Sequence, residues 1–143
     1  MGGKMKKIFV TLALFLSLSS FADNESNVDT VREFMQHYNS ADAEAMMALC
    51  TEDVQWLSIL DNTISVETAN RDALLEAMTA HFSRPTQARS ELLETVEAGS
   101  KVITVEKAFY QTESGEKSQC SAAVYEFKDS KISHVWYFDS YPC

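Results

Sequence analysis

Asp139 is the residue of this chain best placed for acid–base chemistry. It closes the last apolar strand of the sequence, two residues after Tyr137 and opposite Cys120. A carboxyl group at the rim of an apolar pocket has a raised pKa, and this suits it to transfer protons near neutral pH. The alternative is that Asp139 simply ends the strand, in water or bonded to the backbone.

A few aromatic and charged residues are further candidates. Tyr38, Trp56 and Tyr137 could form the walls of a pocket, although ordinary core packing explains them equally well. Glu106 and Lys107 lie in the middle of a strand, so one of the two must face inward. The sequence does not fix the register of that strand, and so it does not decide which of them does.

The histidines predict no metal centre. His37, His81 and His134 stand alone in the sequence, without an H-x-x-x-H spacing or a paired carboxylate. We place His37 and His81 on the polar sides of their helices and His134 on the outer face of a sheet. No Ser-His-Asp order, nucleophile elbow, phosphate loop or cofactor fingerprint is visible either. We therefore expect neither a metal nor a cofactor.

A predicted β-hairpin over residues 119–139 carries several of these groups, and it is apolar on both faces. Asp129 and Ser130 form its turn, and a two-residue turn places Tyr125 opposite His134 on one face. An antiparallel sheet with one face in water alternates apolar and polar residues, and this one does not. Both faces must therefore be covered. The helices of the domain cover one, and a second subunit, the N-terminal segment or a loop covers the other.

The rest of the sequence predicts helices followed by antiparallel strands. Ser26 or Asn27 caps a first helix, Asp42 caps a short second one that Asp53 ends, and Asn70 caps a third. The pattern places the helices near residues 27–38, 43–50 and 71–82, and the strands at residues 54–59, 63–67, 87–97 and 101–111. Helices set apart from a run of strands indicate an α+β domain, with the helices on one face of a curved sheet.

The N-terminus predicts export. Lysines at positions 4, 6 and 7 precede an apolar run over residues 8–18, and Ser20-Phe21-Ala22 follows, as in a secretory signal peptide. The run is too short for the roughly twenty residues of a membrane-spanning helix. We assign residues 1–22 to the signal peptide and residues 23–143 to one soluble domain, periplasmic or secreted. An uncleaved anchor is the alternative.

The charge and the cysteine content limit which classes of partner and which compartment fit this protein. The chain carries a net charge of −9, which argues against nucleic acid or an anionic membrane as a partner. Three cysteines allow at most one internal disulfide in an exported protein. A tail that turns back at Pro142 could bring Cys143 to Cys120, with free thiols as the alternative, and Cys50 is expected to be a buried thiol.

Two stretches resemble a known family. VREFMQHYNSADAEAMMALCTEDVQW resembles the opening of nuclear-transport-factor-2-like domains of the SnoaL-like type, and YEFKDSKISHVWYFD is similar to their closing hairpin. The resemblance extends over about residues 28–140. It implies a cone-shaped α+β fold, in which three N-terminal helices pack on a strongly curved, mainly antiparallel sheet of about five to six strands around a pocket.

This resemblance implies a site and an interface. Members that resemble polyketide cyclases place an acidic residue near the position of Asp139. We expect a pocket, with room for a small apolar ligand, that is lined by Phe34, Tyr38, Trp56, Val135 and Tyr137. We expect a homodimer through the outer face of the sheet, formed by Tyr125, Phe127, His134, Trp136 and Phe138.

The same comparison disfavours steroid isomerase activity. Ketosteroid isomerases of this fold use a tyrosine of the first helix and an aspartate of the first strand, and our spacing places Phe34 and Ser58 there. Neither side chain can perform the role. The leading hypothesis is an exported small-molecule-binding domain. The alternatives are an isomerase, cyclase or lyase that uses Asp139 as general acid–base, or a non-catalytic dimeric scaffold.

Overall fold

The computed structural model describes residues 25–85 and 88–143, so the predicted signal peptide of residues 1–22 lies outside the described residues. The elements in chain order are α1 (Asn27–Asn39), α2 (Ala43–Ala48), β1 (Cys50–Leu60), β2 (Thr63–Thr68), α3 (Arg71–Phe82), β3 (Arg89–Ala98), β4 (Lys101–Thr112), β5 (Gly115–Lys128) and β6 (Lys131–Phe138). None of the helices in these two ranges is long and apolar enough to cross a membrane.

The strands form one six-stranded sheet in the order β2-β1-β6-β5-β4-β3. The β1–β6 pair is parallel and the other neighbouring pairs are antiparallel. Register shifts interrupt every pairing except that of β4 with β5. Such irregularities bend strands, so the sheet curves around the helices. The predicted α+β class, with three helices on a curved and mainly antiparallel sheet, is confirmed.

Side-chain caps start all three helices, as the sequence predicts. Ser26, Asp42 and Asn70 each accept a hydrogen bond from the backbone amide three residues later. The second helix is shorter than expected, because it ends at Ala48 and β1 already begins at Cys50. Cys50 is nevertheless fully buried, as expected.

The closing hairpin keeps its predicted turn but changes its register. Asp129 and Ser130 both have positive φ, as a two-residue hairpin turn requires. Ser133 is then an extra residue in β6, so Tyr125 pairs with Val135 instead of His134. This one-residue shift moves Tyr125 to the inner face, where it is 0% exposed, and Phe127 is also buried in the core. The expected outer position of these two residues is therefore wrong.

The C-terminal tail is tied to the sheet. A disulfide joins Cys120 to Cys143, and Cys120 also exchanges two backbone hydrogen bonds with Tyr141. The structure therefore contains the bridge that was one of the two alternatives for these cysteines. Cys50 is the remaining free thiol.

Candidate functional site

A cavity of about 260 Å³ lies between the helices and the inner face of the sheet. Its size is close to the lower end of the range for ligand pockets, about 300–1,000 Å³. The residues around it come from seven of the nine elements: Phe34, Met35, Tyr38, Trp56, Met78, His81, Ser90, Glu106, Ala108, Gln119, Ser121 and Tyr137. Most of these side chains are apolar or aromatic, and the polar ones include two titratable groups that could take part in proton transfer, Glu106 and His81.

Glu106 is the buried acid of this cavity. Alternation along β4 turns Val102, Thr104 and Glu106 toward the helices, and Glu106 is only 3% exposed. Its Oε1 accepts hydrogen bonds of 2.8 Å from Thr104 Oγ1 and of 2.8 Å from Tyr125 Oη. Its Oε2 accepts a further hydrogen bond from Tyr137 Oη. The carboxyl group is thus desolvated but held by hydroxyl groups.

Burial is the main cause of the pKa shifts of Glu106, Tyr125 and Tyr137. It raises the pKa of Glu106 above the ordinary value, and the hydrogen bonds from Tyr137, Thr104 and Tyr125 offset that rise only in part. Burial and the proximity of Glu106 also raise the pKa of both tyrosines. The tyrosines are therefore hydroxyl donors at any physiological pH, and the group whose charge is in question is Glu106.

A tyrosine–histidine pair forms the helical side of the cavity. Tyr38 Oη on α1 and His81 Nε2 on α3 are 2.9 Å apart, and the two rings stack at 5.6 Å. Burial lowers the pKa of His81, with the charge of Arg84 as a smaller cause. Burial also raises the pKa of Tyr38. Both shifts favour a neutral pair, in which the tyrosine hydroxyl and the imidazole share one hydrogen bond.

Stacked aromatic rings form part of the cavity wall, next to Glu106 and the Tyr38–His81 pair. Trp56 of β1 stacks on Tyr137 of β6 with ring centroids 5.1 Å apart, and Phe34 of α1 lies 6.3 Å from Trp56. Because these rings cover each other's faces, they hold the Tyr137 hydroxyl in place against Glu106.

The structure separates the predicted site residues into two groups. Phe34, Tyr38, Trp56 and Tyr137 line the cavity, whereas Val135 is fully buried in the core beside it. Asp139 follows the last residue of β6 and is exposed, away from the cavity lining. The carboxyl group of the cavity is therefore that of Glu106, and the expected position of Asp139 at a pocket rim is corrected.

His81, which the sequence places on the polar side of its helix, is half-buried and lies on the cavity lining. Ser58, at the predicted position of the isomerase aspartate, donates a hydrogen bond to the exposed Glu67 instead. The inward direction of Glu106 follows from the alternation of β4 once its register with β5 is known. In the described ranges no group of three or more potential metal-ligating side chains is present.

The comparison with known families agrees with this architecture. The family described as the SnoaL-like domain matches residues 31–135. The chain belongs to this family. Its membership of the nuclear-transport-factor-2-like superfamily, predicted from the two sequence stretches, is confirmed by the match and by solved structures of the same fold. No curated protein matches the sequence of this SnoaL-like domain.

Three solved structures illustrate the shared fold. An uncharacterized cystatin fold protein from Novosphingobium aromaticivorans has a TM-score of 0.69 and 21% identity, over 80% of this chain and 98% of that one. An NTF2-like protein from Cytophaga hutchinsonii has a TM-score of 0.61 and 13% identity, over 78% and 88%. An LEH-like epoxide hydrolase from M. tuberculosis has a TM-score of 0.66 and 12% identity, over 78% and 80%. At such identities the likeness shows the fold alone.

Proposed function

We propose that this SnoaL-like domain binds a compact, mainly apolar small molecule in its cavity, with a polar group of the ligand against Glu106. The observation that carries the proposal is a buried carboxyl group, held by Tyr125 and Tyr137, on the lining of a cavity whose other walls are mainly aromatic and apolar. Pockets of this composition bind ligands by apolar burial and orient them by a few placed polar groups. The volume corresponds to roughly nine water-sized groups at about 30 Å³ each.

The methionines provide a direct test by methyl NMR. Met35 and Met78 line the cavity, whereas Met46 is fully buried in the core outside it. A set of compact ketones, alcohols and aromatic compounds should shift the methyl signals of Met35 and Met78 and leave that of Met46 in place. Uniform shifts of all three signals, or none with any compound, would contradict a specific pocket.

A matched pair of alanines tests the location. Ala108 of β4 lines the cavity, and Ala122 of β5 alternates with the buried Ala123 and so faces the opposite side of the sheet. Ala108→Leu should weaken binding because its three added carbon atoms occupy about a third of the cavity, and Ala122→Leu should leave binding unchanged. The reverse pattern would place the ligand on the outer face.

A second candidate function is acid–base catalysis of the isomerase, cyclase or lyase kind. The observation that favours it is the presence of two titratable centres, Glu106 and the Tyr38–His81 pair, on one cavity. In this proposal Glu106 takes the general acid–base role first considered for Asp139. Glu106→Gln should then abolish turnover of any substrate found by binding, and Asp139→Asn should not. The opposite result would return the role to Asp139.

We further propose a homodimer through the outer face of the sheet. Val96, Ile103, Val124 and Trp136 are successive cross-strand neighbours on that face, and Ile103 is 42% exposed. A continuous apolar row of this kind favours association. Sedimentation velocity should show a dimer that Ile103→Lys dissociates and Ile103→Val preserves; a monomer for the unaltered chain would refute the proposal.

Export is the remaining part of the proposed function. The pattern of residues 1–22 supports it, and so does the Cys120–Cys143 bridge, because disulfides persist mainly in oxidising compartments. The intact mass of the exported protein should correspond to a chain that begins at Asp23. Retention of residues 1–22 would contradict cleavage.

A further inference from the structure

Two polar side chains of the cavity lining, Gln119 and Ser121, lie together on β5. They are two residues apart on one strand, so both point to the same face of the sheet. Both residues are half-buried, and within residues 25–85 and 88–143 neither side chain makes a hydrogen bond to another residue. Neither is enclosed, because the sealed polar atoms without a partner in these ranges belong to Thr51, Thr68 and Trp136. The amide of Gln119 and the hydroxyl of Ser121 are therefore open to the cavity.

The other polar groups of the lining are already bonded within the protein. The two oxygens of Glu106 accept hydrogen bonds from three hydroxyl groups, and Tyr38 and His81 are bonded to each other. Ser90 Oγ donates to a backbone carbonyl at 3.4 Å. A ligand that bonded to the atoms in these contacts would compete with them. Gln119 and Ser121, by contrast, can each donate and accept a hydrogen bond without the loss of a bond inside the protein.

The pairing of β4 with β5 places these two side chains beside Glu106. Ser121 is the cross-strand partner of Glu106, and Gln119 is the partner of Ala108. The Cβ atoms of such partners are about 4.5–5.5 Å apart. A polar group of a ligand that lies against Glu106, as in the proposed function, is therefore within reach of Ser121. The short side chain of Ala108 leaves the neighbouring Gln119 accessible from the same direction.

The strand that carries both groups is held on each side. Cys120 lies between them and is joined to the C-terminal tail by the disulfide with Cys143 and by two backbone hydrogen bonds with Tyr141. The other side of the strand is paired with β4 without a register shift. Hydrogen-bonding groups on a fixed strand are preorganised, which lowers the entropy cost of orienting a ligand.

We propose that Gln119 and Ser121 determine the specificity of this cavity, and that they select uncharged ligands whose polar group both donates and accepts hydrogen bonds, above all a carboxamide or lactam. The proposal rests on the proposed binding function. A side-chain amide already forms such a two-way contact elsewhere in the chain, since Asn39 donates to the carbonyl of Ser90 and accepts from its amide, both at 2.8 Å. A carboxylate is disfavoured, because the described residues of the lining include no lysine or arginine that would pair with it.

Three probes of equal size, benzamide, acetophenone and benzoate, test the ligand class at about pH 7. They share one ring and differ only in whether the polar group donates and accepts, accepts alone, or is charged. Benzamide should bind about fivefold more tightly than acetophenone, since one further net hydrogen bond contributes about 1 kcal/mol. In a cavity without free hydrogen-bonding groups the order would be reversed, because the amide gives up more hydrogen bonds to water. Benzoate should bind more weakly than benzamide.

Substitutions locate the preference on β5. Gln119→Leu should weaken benzamide binding at least about fivefold, because the amide of the ligand then lacks a partner, and Ser121→Ala should act in the same direction. Acetophenone should bind both variants about as well as the unaltered domain, which shows that the cavity is still folded. Gln111→Leu is the matched control, since Gln111 lies on β4, is exposed and is not part of the cavity lining. It should leave the affinities for all three probes unchanged.

NMR of the same samples separates this proposal from the binding function. Benzamide should shift the methyl signals of Met35 and Met78 and also the side-chain amide signals of Gln119, which are identified by their absence in Gln119→Leu. Methyl shifts without a change at Gln119, or equal benzamide affinity in Gln119→Leu and Ser121→Ala, would overturn the specificity and leave the binding function in place. Tighter binding of benzoate than of benzamide would overturn the uncharged ligand class. No methyl shift with any of the three probes would overturn both proposals for ligands of this size.

Discussion

Glu106→Gln should change how the stability of the domain depends on pH. Burial raises the pKa of Glu106 in the folded state above its ordinary value of 4.5. Between these two pKa values the folded state holds a proton that the unfolded state releases. The contribution of Glu106 to the free energy of unfolding is therefore complete below about pH 4.5 and is lost as the pH rises through the folded-state pKa.

The size of the effect follows from the same linkage. One proton corresponds to a slope of at most about 1.4 kcal/mol per pH unit between the two pKa values. Glu106 is only 3% exposed, so solvent screens it little, and the slope approaches this limit as the separation between the two pKa values grows. The glutamine variant has no proton to lose at this position, so its stability should lack this component.

Urea unfolding from about pH 4 to pH 8, with the disulfide intact, measures the difference. The free energy of unfolding of Glu106→Gln minus that of the unaltered domain should rise with pH and then level off above the folded-state pKa. The subtraction removes the background from the other titratable groups. Asp139→Asn is the matched control, since its carboxyl group is exposed, and its difference should not show this rise. A difference for Glu106→Gln that is constant over this range would refute the reasoning.

Four further perturbations test other parts of the structure. Cys143→Ser opens a loop with a sequence separation of 23 and should lower the free energy of unfolding by about 3 kcal/mol in urea under oxidising conditions; no change would mean that Cys120 is unpaired in solution. Leu74→Ala, at a site 1% exposed, should cost about 2–5 kcal/mol in the same assay, whereas a loss below 1 kcal/mol would contradict its burial. The ring of His81 should titrate below 6.5 by NMR, and a midpoint above it would contradict the half-buried neutral pair. Ala108→Leu should stabilise the domain by up to about 2.4 kcal/mol, at about 0.8 kcal/mol for each of its three added carbon atoms, while it weakens binding; destabilisation would mean that the cavity lacks the room.

Much of the fold could be predicted from the sequence because its signals are local. Ser26, Asp42 and Asn70 cap helices through bonds to amides three residues away, so the pattern of a short segment contains them. The turn at Asp129 and Ser130 is equally local. The strand positions follow from apolar alternation, which also depends only on neighbours in sequence.

The hairpin register could not be predicted, because it depends on a single extra residue. Ser133 is buried and its hydroxyl donates to the carbonyl of Glu126 at 3.2 Å, which satisfies the group inside the bulge. Nothing in the local pattern distinguishes this serine from one in a regular strand. The consequence is large, because every residue of β5 beyond the bulge changes its partner and Tyr125 moves into the core.

The candidate site could not be predicted from the sequence either, because its residues are far apart in the chain. Tyr38 and His81 are 43 residues apart, and Glu106 and Tyr137 are 31 apart, so only the folded sheet and helices bring each pair together. His81 looks like a polar residue of an exposed helix until α1 is placed beside it. Asp139 is a candidate acid–base residue in the sequence because it ends an apolar strand. That position is also where a strand leaves the core for solvent.

The cavity itself bears on the choice between a binding domain and a scaffold. The cavity of about 260 Å³ is partly open to solvent, so its aromatic and apolar walls contact water instead of packing against protein. Glu106 has the further cost of a buried polar group that an apolar side chain would avoid. A scaffold needs neither feature. The open cavity and the buried acid are therefore best explained together, by a ligand that occupies the one and contacts the other.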